Sequence, residues 1–187
     1  DGSALFIDGI ATITNSTFAN NVATNGNGVI ASLPTAEVTL NNVTIANNTG
    51  STVGGIFGVT SSVLLQNSIV FNNNNNCSAA IIDGGNNMQF PDATCGTGIT
   101  LSNPQLGALT GNPVYYPLLI TSPAINIGNP ATCDPVDQRD LTRDATCDMG
   151  AFEYDGDSSQ SGPNYTVNVT SMDNDGLCGI LHCSLIE

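Results

Sequence analysis

The sequence contains no lysine and no tryptophan, and its basic side chains are two arginines, Arg139 and Arg143. With 16 acidic residues the formal net charge is −14, although charged residues make up only 10% of the chain. The acidity therefore comes from missing bases rather than from abundant acids. Because phosphate recognition needs lysine and arginine, this composition argues against nucleic acid and against an anionic membrane surface as partners.

Aromatic residues are also scarce, and no segment combines a 3.6-residue apolar period with capping residues. Long apolar runs that could span a membrane are missing as well, so we expect little helix and no membrane insertion. The chain begins at Asp1 within a repeating pattern, without an initiator Met or a signal peptide. We expect it to be a processed form or a segment of a longer chain.

The sequence does contain a repeat, read three times in residues 11–21, 38–48 and 63–73. Each copy places β-forming residues around a central asparagine, and these asparagines are 27 and 25 residues apart: Asn15, Asn42 and Asn67. Repeats of this length, built from β-formers and turn residues, indicate a β-solenoid. If the copies stack, residues 13, 40 and 65 lie over one another.

Local alternation explains how one copy would fold. Val38 and Leu40 alternate with Thr39, which places apolar side chains on one face of a strand and threonine on the other. Asparagine tolerates the left-handed conformation, so the chain is expected to bend at the central position. Stacked copies would then form an asparagine ladder of amide hydrogen bonds at Asn15, Asn42 and Asn67. The alternative is that these residues are turn formers only.

Glycine-led runs at 28–31 and 55–57 predict a third strand in each copy, and residues 84–87 look like a degraded version of it. Three strands and their corners make one triangular turn of a parallel β-helix. The prediction is thus an all-β fold whose coils occupy residues 1–102.

Beyond residue 102 the composition changes. Prolines recur from Pro104 onward, and they exclude regular central strands. We interpret residues 103–154 as a loop-rich cap over the C-terminal end of the coils. Residues 155–163 are predicted to be a flexible polar linker. Residues 164–187 are predicted to be a strand extension, in which Tyr165, Val167 and Val169 alternate with polar residues.

Six cysteines fall into three pairs that are close in sequence: Cys77 with Cys95, Cys133 with Cys147, and Cys178 with Cys183. A metal site is a weaker interpretation, because there is no C-x-x-C pair and His182 is the sole histidine. Disulfides would indicate an oxidising, extracellular location.

Five aspartates near the two arginines are the candidates for enzyme chemistry: Asp134, Asp137, Asp140, Asp144 and Asp148. A glycoside hydrolase or lyase would need two acids projecting together. Internal ion pairing with Arg139 and Arg143 is the favoured interpretation. We therefore assign no catalytic residue, no cofactor-binding residue and no metal ligand.

Two sets of residues each resemble a known family. Residues 122–133, 137–139 and 147–154 resemble the C-terminal signature of bacterial choice-of-anchor Q proteins, and the repeats look like the β-helix that precedes it. Residues 183–187, preceded by 165–168, resemble the CSLREA domain that opens such proteins, with Ile186 in place of the family's arginine. The resemblance implies a secreted or surface-displayed right-handed parallel β-helix, usually without assigned catalysis.

The order of these motifs is inverted, because an opening motif follows a closing one. One explanation is a tandem array of covalent neighbours. The other is a homopolymer of identical subunits, in which the 164–187 strand covers the open N-terminal coil of the next subunit by β-augmentation. Both predict a secreted structural module of an extracellular filament. Two alternatives are a glycan-binding surface adhesin, for which Tyr115–Tyr116 is the available aromatic pair, and a polysaccharide lyase or hydrolase.

Overall fold

The computed structural model describes residues 4–24, 28–59 and 62–155. Within these residues the secondary structure is β-strand without helix. The strands are β1 (Leu5–Ile7), β2 (Ile10–Thr14), β3 (Thr17–Ala19), β4 (Val22–Ala23), β5 (Ile30–Ser32), β6 (Glu37–Asn41), β7 (Thr44–Ala46), β8 (Thr49–Gly50), β9 (Ile56–Phe57), β10 (Val63–Gln66), β11 (Ile69–Phe71), β12 (Ile82–Asp83), β13 (Met88–Phe90) and β14 (Thr100–Leu101).

Each strand pairs in parallel with the equivalent strand of the next repeat, which gives four sheets. The first sheet is β1-β5-β9, the second β2-β6-β10-β12, the third β3-β7-β11-β13-β14 and the fourth β4-β8. In the second sheet Leu40 pairs with Ile13 on one side and Leu65 on the other. The predicted stacking of residues 13, 40 and 65 is confirmed.

Asparagines in the left-handed conformation mark the corners between the second and third sheets. The backbone φ angle there is 43° at Asn15, 50° at Asn42 and 47° at Asn67. A second set follows the third sheet, with φ of 56° at Asn20, 58° at Asn47 and 51° at Asn72. Because asparagine adopts this conformation at lower cost than most residues, the repeated Asn positions fix where the chain turns.

The hydrophobic core lies between the sheets and is built from the inward residues of each repeat. Leu40, Ile45, Leu65 and Val70 are fully buried there. The outward residue Thr39 is only half-buried. The alternation predicted from the sequence therefore separates the core face of the second sheet from its outer face.

Residues 103–153 contain isolated bridges but no named strand, so the expected loop-rich character is present. Their position differs from the expected one over the C-terminal end. Contacts reach the first, second and third repeats from outside: Gln138 accepts a hydrogen bond from Thr17, Ala151 donates to Thr44, and Gly150 donates to Asn67. The segment thus lies along the outer face of the third sheet. Strand β7 is consequently buried on both faces.

The C-terminal end of the core is closed by residues 91–101 instead. Cys95 and Ile99 are buried against the core, and the backbone N–H of Ile81 donates to the carbonyl of Cys95. The disulfide between Cys77 and Cys95 joins this closing segment to the stack. Cys77 is also the residue that bridges to Ile56 of the first sheet.

In the fourth repeat, residues 84–87 differ from the prediction made from the sequence. Residues 84–87 do not continue the glycine-led strands of the first sheet. Asn86, with φ of 56°, lies two residues before Met88, which pairs with Ile69; Asn67 lies two residues before Ile69. Residues 84–87 therefore form the corner between the second and third sheets in this repeat.

By density of contacts, residues 1–153 form one compact unit and 154–187 another. Several sequence-based expectations lie outside the described residues. These are the linker from residue 156 onward, the strand extension 164–187 with Tyr165, Val167 and Val169, and the pair Cys178 and Cys183.

Candidate functional site

The two arginines near the acids considered for catalysis form ion pairs within the 103–153 segment. Arg143 is buried, and its Nη1 donates to Glu153 Oε2 at 2.7 Å. Its Nη2 donates to Asn15 Oδ1 at 3.0 Å and to the carbonyl of Gly150 at 2.9 Å. This arginine therefore ties the segment to the first corner of the repeats, where a fork of several donors is needed.

Burial raises the pKa of Glu153 above 4.5, because desolvation outweighs the hydrogen bonds from the backbone N–H groups of Asp148 and Asp144 and the pairing with Arg143. The carboxylate accepts from Asp148 N and Arg143 Nη1 on Oε2, and from Asp144 N on Oε1. Both oxygens thus have internal partners, and the group serves the packing of the segment.

Asp137 and Arg139 form a second ion pair, with 2.8 Å between Oδ2 and Nη2. Asp137 also accepts from the backbone N–H groups of Arg139 and Glu153. The guanidinium of Arg139 lies 4.0 Å from the ring centroid of Phe152, a cation–π contact. Of the ion pairs expected from the sequence, Asp137 with Arg139 is present, whereas Arg143 pairs with Glu153, which is not one of the five aspartates.

Asp134 has one buried carboxylate oxygen, Oδ2, without a hydrogen-bond partner among the described residues. A glycoside hydrolase needs a second carboxyl group across from such an acid. Among all the described residues, no three His, Cys, Asp or Glu side chains lie close enough together to hold a metal ion. The described residues also contain no helix long and apolar enough to cross a bilayer.

Tyr115 and Tyr116, the aromatic pair expected for glycan contact, both have internal partners. Tyr116 is buried and its hydroxyl accepts from Asn47 Nδ2 at 2.7 Å, while Tyr115 stacks on Phe152. The first sheet carries a different aromatic column on its outer face. Phe6 and Phe57 are 51% and 36% exposed on either side of Ala31, with which both are in register.

The N-terminal end of the stack presents four edge strands together, β1 to β4. In the described chain each pairs on one side only, with β5, β6, β7 and β8 respectively. A row of unpaired backbone N–H and C=O groups at such an edge is a template for another strand. This edge is the candidate functional site.

The core is incompletely covered at the same end. Ile7, Ile13 and Phe18 pack against the core cluster but remain partly exposed, whereas Leu40 and Ile45 one repeat further are fully buried. Ile13 and Phe18 lie in the same inward columns as Leu40 and Ile45, so the difference arises because no described strand lies on their other side. At the opposite end Cys95 and Ile99 are buried, while Ile82 and Leu101 of the edge strands β12 and β14 are 44% and 55% exposed.

The asparagine ladder lies in a different column from the one expected. Asn21 Nδ2 donates to Asn48 Oδ1, Asn48 Nδ2 donates to Asn73 Oδ1, and both distances are 2.9 Å. The ladder ends where Asn73 Nδ2 donates to Asn76 Oδ1 at 3.0 Å, and Asn76 donates to the carbonyl of Phe90. The recurring amide is thus the residue after the second corner.

The three asparagines expected to form the ladder have other partners. Asn15 accepts from Arg143, Asn42 donates to the carbonyls of Asp148 and Gly150, and Asn67 Oδ1 accepts from the backbone of Asn129. They are corner residues whose side chains point outward and anchor the 103–153 segment. Both asparagine columns recur with the same period, so the period alone does not separate the two roles.

The ladder has a direction. At each step the backbone N–H and Nδ2 of one asparagine donate to the same Oδ1 of the next: Asn21 to Asn48 at 2.9 and 2.9 Å, and Asn48 to Asn73 at 2.9 and 2.9 Å. No donor among the described residues reaches Oδ1 of Asn21. The ladder therefore ends at the N-terminal edge in an acceptor.

Two of the three disulfides predicted from the sequence are present in the described residues, Cys77–Cys95 and Cys133–Cys147. They fit an oxidising environment. In comparisons with known proteins, no protein-family model matches the chain, and neither the curated proteins nor the solved structures include a match.

Proposed function

We propose that the chain is a right-handed parallel β-helix that joins head to tail with further units of its kind to build an extracellular filament or surface fibre. The observation that carries this proposal is the difference between the two ends of the stack. Both ends carry edge strands, but at one end Cys95 and Ile99 are buried over the core, whereas at the other end the inward residues Ile7, Ile13 and Phe18 are only partly covered.

The missing layer is best supplied by another β-strand. Main-chain hydrogen bonds along β1 to β4 would give affinity, and pockets above the inward columns would give register. The 164–187 segment of a neighbouring unit, with its alternation at Tyr165, Val167 and Val169, is the proposed occupant. A contact between two different surfaces leaves one of each surface free at the ends, and stacking along the axis of the repeats extends it into a linear object and not a ring.

Two further properties support an extracellular setting. The two disulfides favour an oxidising compartment, and the resemblance to choice-of-anchor Q and CSLREA proteins implies secretion or surface display. The units are either separate identical subunits or covalent neighbours in a tandem array. The contact at the N-terminal edge is the same in both cases.

A glycan-binding adhesin is the second candidate function. The observation that favours it is the pair of exposed rings, Phe6 and Phe57, on the outer face of the first sheet. Aromatic faces are a common platform for sugars, because they are apolar and rigid. The variant Phe57→Ala would test this role, since it should abolish binding to a glycan array without changing association between units.

The test of head-to-tail assembly compares the full chain with a chain that ends at residue 163. Light scattering and negative-stain electron microscopy should show linear oligomers for the full chain and monomers for the shorter one. Circular dichroism and thermal unfolding should show that both are equally folded. Oligomers of unchanged length in the shorter chain would refute the proposed role of residues 164–187.

A further inference from the structure

We propose that Asn174 of a neighbouring unit docks on Asn21, so that residues 168–174 add to the third sheet beside β3 and extend the asparagine ladder across the junction. This inference rests on the proposed function and specifies the register of the contact. The juxtaposition that carries it is the open acceptor of Asn21 at the unpaired edge of the stack.

The ladder sets the chemistry of the residue that can dock there. At each internal step the incoming asparagine provides two donors, its backbone N–H and Nδ2, to one Oδ1. A residue that continues the ladder before Asn21 must therefore carry a side-chain donor in the position of Nδ2. Aspartate in its ionised form accepts only, and its oxygens would face the Oδ1 of Asn21. Asparagine supplies this donor at every described step of the ladder, so it is the residue we expect beside Asn21.

The described copies show which sequence surrounds a ladder asparagine. In Asn42–Asn48 the first and sixth residues take the left-handed conformation, with φ of 50° and 58°, and the seventh is the ladder residue. The same order holds in Asn15–Asn21 and Asn67–Asn73. The seven-residue unit therefore begins with Asn, turns again at its sixth residue and ends with Asn.

Residues 168–174 match this unit. Their sequence, Asn-Val-Thr-Ser-Met-Asp-Asn, keeps Asn at the first and seventh positions and shares Asn-Val-Thr with residues 42–44. The sixth position is aspartate, which tolerates the left-handed conformation as asparagine does. Within 164–187 the other asparagines, Asn164 and Asn168, have no asparagine six residues before them. Asn174 is the one that fits the ladder position.

The match fixes the register. Asn168 would lie beside Asn15, Thr170 beside Thr17 and Asn174 beside Asn21. The inward positions are then Thr166 over Ile13, in the column of Leu40, and Ser171 over Phe18, in the column of Ile45. In this register Tyr165 and Val167 lie on the outer face. The two polar inward residues fit the apolar columns less well than their counterparts, and Ser171 provides a gain-of-function test.

The first experiment is disulfide trapping between copies of the full chain. Asn20 is exposed, and in the proposed register it lies beside Asp173 of the neighbour. Adjacent in-register strands are about 4.8 Å apart, within the roughly 4.4–6.8 Å range of Cα separations that a disulfide spans. The double variant N20C/D173C should give covalent oligomers on a non-reducing gel, and mass spectrometry should identify the linked peptides.

The matched control is N20C/D175C, which makes the same chemical change two residues further along. A shift of two residues increases the Cα separation to about 8 Å, beyond the reach of a disulfide. Equal cross-linking of the two variants would overturn the proposed register. Circular dichroism checks that each variant is folded.

A second series measures association directly by light scattering. Asn174→Ala removes the side-chain donor and should weaken association about 5- to 10-fold, the effect of one net hydrogen bond. Asn164→Ala is the control and should change nothing. Ser171→Val should tighten association about 5-fold or more, because it buries added methyl groups over Phe18. An equal effect of N164A and N174A would overturn the inference.

The outcomes also separate this inference from the proposed function. If removal of residues 164–187 leaves association unchanged, head-to-tail assembly through this segment is refuted. If that removal abolishes association while N20C/D173C fails to cross-link and N174A associates normally, assembly stands and the Asn21–Asn174 register is refuted.

Discussion

Replacement of Asn48 at the centre of the ladder tests whether the stack depends on the amide column. Asn48 is fully buried. Its Nδ2 donates to the carbonyls of Phe18 and Ala46 and to Asn73 Oδ1, at 2.9, 3.2 and 2.9 Å. Its Oδ1 accepts from the backbone N–H and Nδ2 of Asn21, both at 2.9 Å. One side chain thus joins three successive repeats.

The magnitude follows from these contacts. Asn48→Ala removes five hydrogen bonds, some of whose partners are half-exposed at the edge and can bind water. With about 1 kcal/mol net for each lost bond, and more where a buried group stays unpaired, the free energy of unfolding should fall by about 3–5 kcal/mol. That loss is a large share of the roughly 5–15 kcal/mol that stabilises an ordinary domain.

Asn48→Asp should be worse at neutral pH. The two amide hydrogens become a carboxylate oxygen that faces three acceptors, the carbonyls of Phe18 and Ala46 and Oδ1 of Asn73. Burial and these acceptors raise the pKa of the new carboxyl group, so protonation at low pH returns one donor. The gap in stability between N48D and the wild type should therefore narrow as pH falls from 7 towards 4.

Urea unfolding followed by circular dichroism measures these changes. Asn20→Asp is the matched control, because Asn20 is exposed and the chemical change is the same. It should shift stability by about 0.5 kcal/mol or less. The role of the amide column would be refuted if N48D and N20D lost the same stability, or if the loss in N48D did not depend on pH.

Three further predictions concern the 103–153 segment. Arg143→Met should cost about 3–5 kcal/mol, because it leaves Glu153 buried without its cation. Glu153→Gln should change the pH dependence of stability. Since the folded pKa of Glu153 is raised, the stability of wild type relative to E153Q should fall as pH rises from 4.5 through that pKa. Gly150→Ala should cost about 2–4 kcal/mol, because φ is 91° and the new Cβ would lie 2.8 Å from Thr44 Oγ1.

Each of these has a defined contrary result. An R143M protein as stable as the wild type would show that the ion pair does not hold the segment. A wild type that gains stability over E153Q with rising pH would reverse the direction assigned to Glu153. Gly85→Ala is the control for G150A, because Gly85 has φ of 95° but open space around a Cβ. Equal losses in G85A and G150A would mean that contact with Thr44 contributes nothing.

The repeat was readable from the sequence because its causes are local. The alternation of Val38, Thr39 and Leu40 assigns the faces of a strand without any distant contact. The asparagines at 15, 42 and 67 bend the chain because their own backbone tolerates the left-handed conformation. Once strands and corners recur with one period, the stacking register of residues 13, 40 and 65 follows.

The ladder and the segment 103–153 were not readable in the same way. Asn42 and Asn48 belong to the same repeated unit, yet Asn42 bonds the carbonyl of Asp148 and Asn48 bonds Asn73. Their roles differ because one side chain leaves the stack at a corner and the other points along it, which depends on the backbone path on both sides. Arg143 likewise reaches Asn15 across a long separation in sequence.

The sequence by itself determined the period, the strand faces, the corners and the lack of helix among the described residues, since each depends on the preferences of neighbouring residues. Tertiary structure alone decided which asparagines form the ladder, that residues 103–153 cover the third sheet from the side, and that Cys95 and Ile99 are buried over one end of the core. These features arise from packing between residues far apart in the chain, where many partners are compatible with the same local pattern and only the assembled geometry selects one.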